Sequence, residues 1–80
     1  MIEQKIISER ITKLRTEKGL SQLDLAKILS EMTGKDTKVL LKCINQWETG
    51  EGEPSIEMFQ NLAIVLSVQK EYLMGLIDAR

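Results

Sequence analysis

Apolar residues along this chain recur at intervals of three and four, the period of a helix, and no stretch alternates as a strand would. Ile7, Ile11 and Leu14 predict a helix from Ile2 to Lys18, with Ile2 and Ile6 extending the stripe backwards. Gly19 follows Lys18, where a helix-ending glycine belongs. Ser21 opens a second helix with a capping box, Asp24 standing three residues on. Leu23, Ala26, Ile28 and Leu29 supply its apolar positions, and the small Ala26 allows close helix–helix approach. Gly34 ends it, and Asp36 or Thr37 caps a third helix over about Lys38–Glu48. There Leu40, Cys43, Ile44 and Trp47 share one face. Lys38, Lys42, Asn45, Gln46 and Thr49 share the other, with Val39 and Leu41 at the borders.

Gly50, Gly52 and Pro54 break the pattern. Ser55 caps a fourth helix with Glu57 in its first turn. Met58, Leu62, Val65 and Leu66 form its core stripe, with Phe59 and Ala63 beside it. Ser67-Val68 is a short joint, and a fifth helix runs from about Gln69 to Met74. Tyr72, Leu73, Leu76 and Ile77 are its apolar residues. The reading is an all-α, five-helix fold in a single domain over residues 1–80.

Composition narrows the chemistry. Without histidine, and with Cys43 as the sole cysteine, the sequence supports neither an intramolecular disulfide nor a structural zinc site. No apolar run reaches membrane-spanning length and the N-terminus lacks a signal-peptide core, so a cytoplasmic protein is expected. Its carboxylates surround no nucleophile, so no enzyme, no cofactor and no small-molecule ligand is indicated. The net charge is −1 but unevenly spread. Met1 to Gln46 carries nine basic and six acidic residues, and Trp47 to Arg80 two basic and six acidic. A docking face needs positive charge only where it meets its partner.

The third helix divides into an apolar face that anchors it and a hydrogen-bonding face suited to the major groove. Lysine reads guanine edges there, and Asn or Gln pairs with adenine. Gln22, in the first turn of the second helix, stands where a backbone N–H and a side-chain amide can clamp a phosphate.

Arg10-Ile11-Thr12-Lys13-Leu14-Arg15 followed by Lys18-Gly19-Leu20-Ser21-Gln22-Leu23-Asp24-Leu25-Ala26 resembles the opening of the phage repressor and Cro-type (XRE family, lambda-repressor-like) helix-turn-helix domains. Ile44-Asn45-Gln46-Trp47-Glu48-Thr49-Gly50 is similar to the end of their recognition helix. Pro54-Ser55, Leu62-Ala63 and Leu73-Met74-Gly75 are similar to their last two helices, so the resemblance covers roughly Ile7–Leu76. It implies a five-helix fold with the helix-turn-helix in helices 2–3. It also implies a phosphate-binding Gln22, base-reading positions at Leu41, Lys42 and Gln46 with Asn45 beside them, and a structural ion pair between Arg15 and Glu48. The implied function is a transcriptional regulator, repressing sooner than activating, bound to double-stranded DNA as a homodimer on half-sites about one DNA turn apart.

One departure stands out. From Ala26 to Trp47 the chain is about two helical turns longer than the family pattern, the surplus falling in Ser30–Thr37. The expectation is an enlarged turn, with a longer second helix and a third helix starting early. Lys35, Thr37 and Lys38 then stand near phosphates or in the groove. Leu41 either meets a thymine methyl or packs on the inserted segment. Ile2, Ile6, Tyr72, Leu76 and Ile77 are either core or a patch joining two subunits. Glu51-Gly52-Glu53 is acidic, lacks lysine and reads as a loop that repels phosphate. The acidic C-terminal half keeps a second reading open, a protein–protein interaction module on the same fold with weak or no DNA binding.

Overall fold

A computed structural model describes residues 4–80. Ile2, expected to extend the first apolar stripe, lies outside them. Five helices form, and no strand occurs among the described residues: α1 Gln4–Glu17, α2 Gln22–Thr33, α3 Thr37–Thr49, α4 Ile56–Leu66 and α5 Lys70–Leu73. α3 packs on both α1 and α2, α4 on α2 and α5, and α5 on α1. Every helix contributes to one core, built around Ile7, Ile11, Leu25, Leu29, Ile44, Phe59, Leu62, Leu66 and Leu73.

The ends of the helices follow local chemistry. After α1, Gly19 takes φ +70°, and Leu20 N–H reaches back to the Arg15 carbonyl at 3.1 Å, satisfying a carbonyl the helix leaves open. The capping box at Ser21 is complete. Its hydroxyl accepts from Asp24 N–H at 2.9 Å, and the Asp24 carboxylate accepts from Ser21 N–H at 3.0 Å. Asp36, with Thr37 its first helical neighbour, caps α3 by accepting from Lys38 N–H and Val39 N–H at 2.8 and 3.1 Å.

The enlarged turn expected between α2 and α3 does not form. Only Gly34, Lys35 and Asp36 separate the two helices. The longer second helix and the early third helix expected from the sequence do form, α2 running to Thr33 and α3 starting at Thr37, and they take up all of Ser30–Thr37 but this three-residue turn. Ser30, Thr33 and Asp36 make this possible. The Ser30 hydroxyl donates to the Lys35 carbonyl at 2.6 Å, and Lys35 N–H donates to Thr33 Oγ1 at 3.2 Å. The connection therefore supplies its own hydrogen bonds.

Two apolar assignments change. In α2 the buried residues are Leu25, Ala26 and Leu29, while Leu23 is 44% exposed. At about 100° per residue Leu25, Leu29 and Ala26 fall within about 100° of one another with Leu29 between the other two, whereas Leu23 lies about 160° around the helix from Leu25 and about 120° from Leu29. In α5 Tyr72 and Leu73 are buried, and beyond it Ile77 is half-buried but Leu76 is exposed.

The register of α2 predicts unequal costs for two similar truncations. Leu25→Ala should cost about 2–5 kcal/mol in urea unfolding. Leu23→Ala should stay within about 0.5 kcal/mol of the parent. Equal losses would place the α2 face wrongly.

Candidate nucleic-acid interface

α1 presents Ser8, Ile11 and Arg15 on one line by their spacing of three and four, so a hydroxyl and a guanidinium face the interior beside an isoleucine. Opposite them lies the last turn of α3. Arg15 Nε and Nη2 donate to the two carboxylate oxygens of Glu48 at 2.7 and 2.9 Å, a bidentate pair. The third arm, Nη1, donates to the Leu20 carbonyl at 2.8 Å. Both side chains are withdrawn from water, with 13% of Arg15 and 6% of Glu48 exposed. Beside them the Ser8 hydroxyl donates to the Trp47 carbonyl at 2.6 Å, capping another group the end of α3 leaves open.

Burial on its own would raise the Glu48 pKa. Hydrogen bonds from Arg15 and Gln22, the Arg15 charge and the Thr12 hydroxyl outweigh it, so Glu48 titrates below its ordinary value. Its partner is shifted the opposite way: the hydrogen bond to Glu48 raises Arg15 against the opposing effect of burial.

Gln22 Nε2 donates to Glu48 Oε1 at 3.0 Å, and Asn45 Nδ2 lies 3.5 Å from Gln22 Oε1. Arg15, Glu48, Gln22 and Asn45 thus form a polar chain leading from the protein interior to the exposed side of α3. The Gln22–Glu48 contact was not expected from the sequence. A signal for it exists, because Gln22, Ala26 and Leu29 share one helical line and the last two are buried.

The remaining candidates distribute around α3. Leu40, Ile44 and Trp47 are buried and hold the helix down. Lys38, Lys42, Asn45 and Thr49 are exposed on the opposite side, and Gln46 is half-buried at its edge. Leu41 is half-buried and packs on the core, and Thr37 is half-buried. Lys35 is exposed in the connection between α2 and α3. It lines a shallow depression of about 250 Å³ with Val39, Cys43, Trp47 and Glu53, between α3 and the loop before α4.

Arg10 was also unassigned by the sequence. Its Nη1 donates to the carbonyls of Tyr72 and Ile77, and its guanidinium lies 4.0 Å from the Tyr72 ring centroid. It fastens α5 and the segment beyond it to α1. The spacing Ile7, Arg10, Leu14 marks it as inward-facing. Among the described residues no group of three or more cysteine and carboxylate side chains is placed to hold a metal ion.

Compared with protein-family models, curated proteins and solved structures, the chain finds no match in any of the three.

The Glu48 environment predicts a pH effect with a definite sign. A carboxylate whose folded pKa is depressed stabilises the fold fully above its unfolded value, ordinarily 4.5, and that stabilisation is lost as pH falls through the lower folded value. Glu48→Gln should lose about 3–5 kcal/mol at neutral pH, because Arg15 is left buried without a counter-charge. Its deficit relative to the parent should shrink as pH drops below the ordinary carboxylate range. Parallel chemical denaturation of both proteins across pH checks this; a deficit constant with pH would remove the charge from the explanation.

Proposed function

We propose that this chain is a sequence-specific, double-stranded-DNA-binding transcriptional regulator of the phage-repressor kind, with α2 and α3 as its helix-turn-helix. α3 enters the major groove and a homodimer occupies two half-sites about one DNA turn apart. The regulator is cytoplasmic and acts by binding, not catalysis, and repression by occluding polymerase is the preferred mode.

One observation carries the reading. Lys38, Lys42 and Asn45 stand exposed at spacings of four and three along a helix whose other side is buried through Leu40, Ile44 and Trp47. At about 1.5 Å per residue these three side chains cover about 10 Å of helix, close to three base-pair steps. Lysine and asparagine supply the donors and acceptor that guanine and adenine edges require. Gln22 opens α2 beside Asn45 and keeps one amide hydrogen beyond the one it gives Glu48, available to a phosphate oxygen. Among the described residues no helix is long and apolar enough to cross a membrane. The exposed Ile56 and Ile64, two helical turns apart on α4, offer apolar surface to a second subunit.

A second reading has its own support. Glu51, Glu53 and Glu57 are exposed just past the end of α3 and would repel phosphates. A protein-interaction module on this fold would use them toward a basic partner. Salt dependence separates the two readings, since phosphate contacts make DNA affinity fall steeply with salt.

Selection from random duplex oligonucleotides should return a palindromic site. On that site Lys42→Ala should cost about 1–3 kcal/mol of affinity. Lys38→Ala should lower the slope of log affinity against log salt by about one, as loss of a phosphate contact does. A pool that never enriches, with binding insensitive to salt, would leave the interaction module as the better account.

A further inference from the structure

The Arg15–Glu48 pair is accounted for by folding alone, yet Glu48 makes one contact that folding does not require. Its Oε1 accepts from Gln22 Nε2 at 3.0 Å. An ionised carboxylate only accepts hydrogen bonds, so Gln22 must turn its nitrogen toward Glu48 and its oxygen outward. The outward oxygen lies 3.5 Å from Asn45 Nδ2. That oxygen only accepts, so the Asn45 amide in turn points its nitrogen at Gln22. A buried charge thereby dictates the direction of two amides in sequence, the second of them exposed on α3.

We infer that Glu48 is a positioning residue for base reading: through Gln22 it fixes which way round the Asn45 amide is presented at the surface of α3. This rests on the DNA-binding reading given above. Held this way, Asn45 has Oδ1 and its second Nδ2 hydrogen free. One acceptor beside one donor is the complement of adenine N6–H and N7 in the major groove. An amide free to flip offers the reverse order as readily and discriminates less. The structural pair and the recognition face are one continuous unit, so substitutions at Glu48 alter which base is preferred as well as how stable the fold is.

Two measurements test this, one of them without DNA. In the parent protein the side-chain amide resonances of Gln22 and Asn45 should both move with a single midpoint as Glu48 is titrated with acid. An Asn45 amide that ignores that titration overturns the relay, whatever the protein binds. On selected DNA, Asn45→Ala identifies the base pair Asn45 reads. At that pair Glu48→Gln and Gln22→Met should each reduce the preference for adenine by roughly tenfold, and the control Glu51→Gln should leave it intact. Gln22→Met keeps the Arg15–Glu48 pair and decides the matter if Glu48→Gln is too unstable to assay. An equal loss of affinity on every sequence means a purely structural role and overturns the inference. If selection enriches no sequence, the DNA-binding reading fails, and the amide titration alone decides whether the relay exists.

Discussion

A guanidinium and a carboxylate withdrawn from water set the geometry of this domain. Hydrophobic burial drives the helices together but is non-directional. The Arg15–Glu48 pair adds direction, because a bidentate contact tolerates little rotation. The remaining arm of Arg15 holds the Leu20 carbonyl in the turn between α1 and α2. One side chain therefore joins α1, the turn that launches α2, and the end of α3. Desolvating both charges offsets much of their attraction, so the pair adds less to stability than its short distances suggest. Its value lies in specificity of arrangement. Any packing that separates the two charges leaves each buried alone, and such alternatives are strongly disfavoured.

The α2–α3 connection extends the same logic. The residues between two packed helices have two outlets, a longer loop or longer helices. Here residues 30–36 include Ser30 and Thr33, whose hydroxyls bond the backbone of the turn, and Asp36, whose carboxylate takes the first free N–H groups of α3. Gly34 reverses the chain at φ +75°, a conformation costly to residues with a Cβ. With the turn satisfied in three residues, the rest has no reason to leave helical geometry. α3 consequently begins at Thr37, and Lys38 is carried out on its first turn, in line with Lys42 and Asn45.

Much of this was legible in the sequence, and the exceptions share a cause. The face of α3, the serine and aspartate caps and the stops at Gly19, Gly34 and Gly50 are local facts, decided by residues within one or two turns of each other. The Arg15–Glu48 pair spans the fold and came from family resemblance. What went unread were the inward contacts of polar residues lying on buried faces: those of Ser8 and Arg10, and that of Gln22, which was read only as a phosphate ligand. Hydrophobic periodicity treats each as a gap, although each lies in helical register with buried apolar neighbours. The choice of Leu23 over Leu25 has a related origin, because a helix with leucine at both positions offers two candidate stripes. The partner across the interface selects between them. Leu76 is exposed because the chain leaves helical geometry after Leu73, so its spacing from Tyr72 and Leu73 no longer places it on the inner face.

The formal charge of −1 misstates what α3 presents to a partner. Several carboxylates near it are already committed within the protein. Asp24 accepts from Ser21, which holds it below its ordinary range, Asp36 accepts from two backbone N–H groups, and Glu48 is given to Arg15 and Gln22. The ion pairs formed among the described residues use arginines, Arg10, Arg15 and Arg80, and leave Lys38 and Lys42 uncommitted. Lys38 and Lys42 are thus free to act outward, while the Glu48 charge is compensated inside the protein by Arg15 and the exposed Asp24 and Asp36 are held by backbone N–H groups. The exposed Glu51, Glu53 and Glu57 follow α3 in the chain and do not alternate with its lysines. An anionic partner laid along α3 would be attracted over the lysine face and repelled past its C-terminal end, a gradient that orients the partner as well as attracting it.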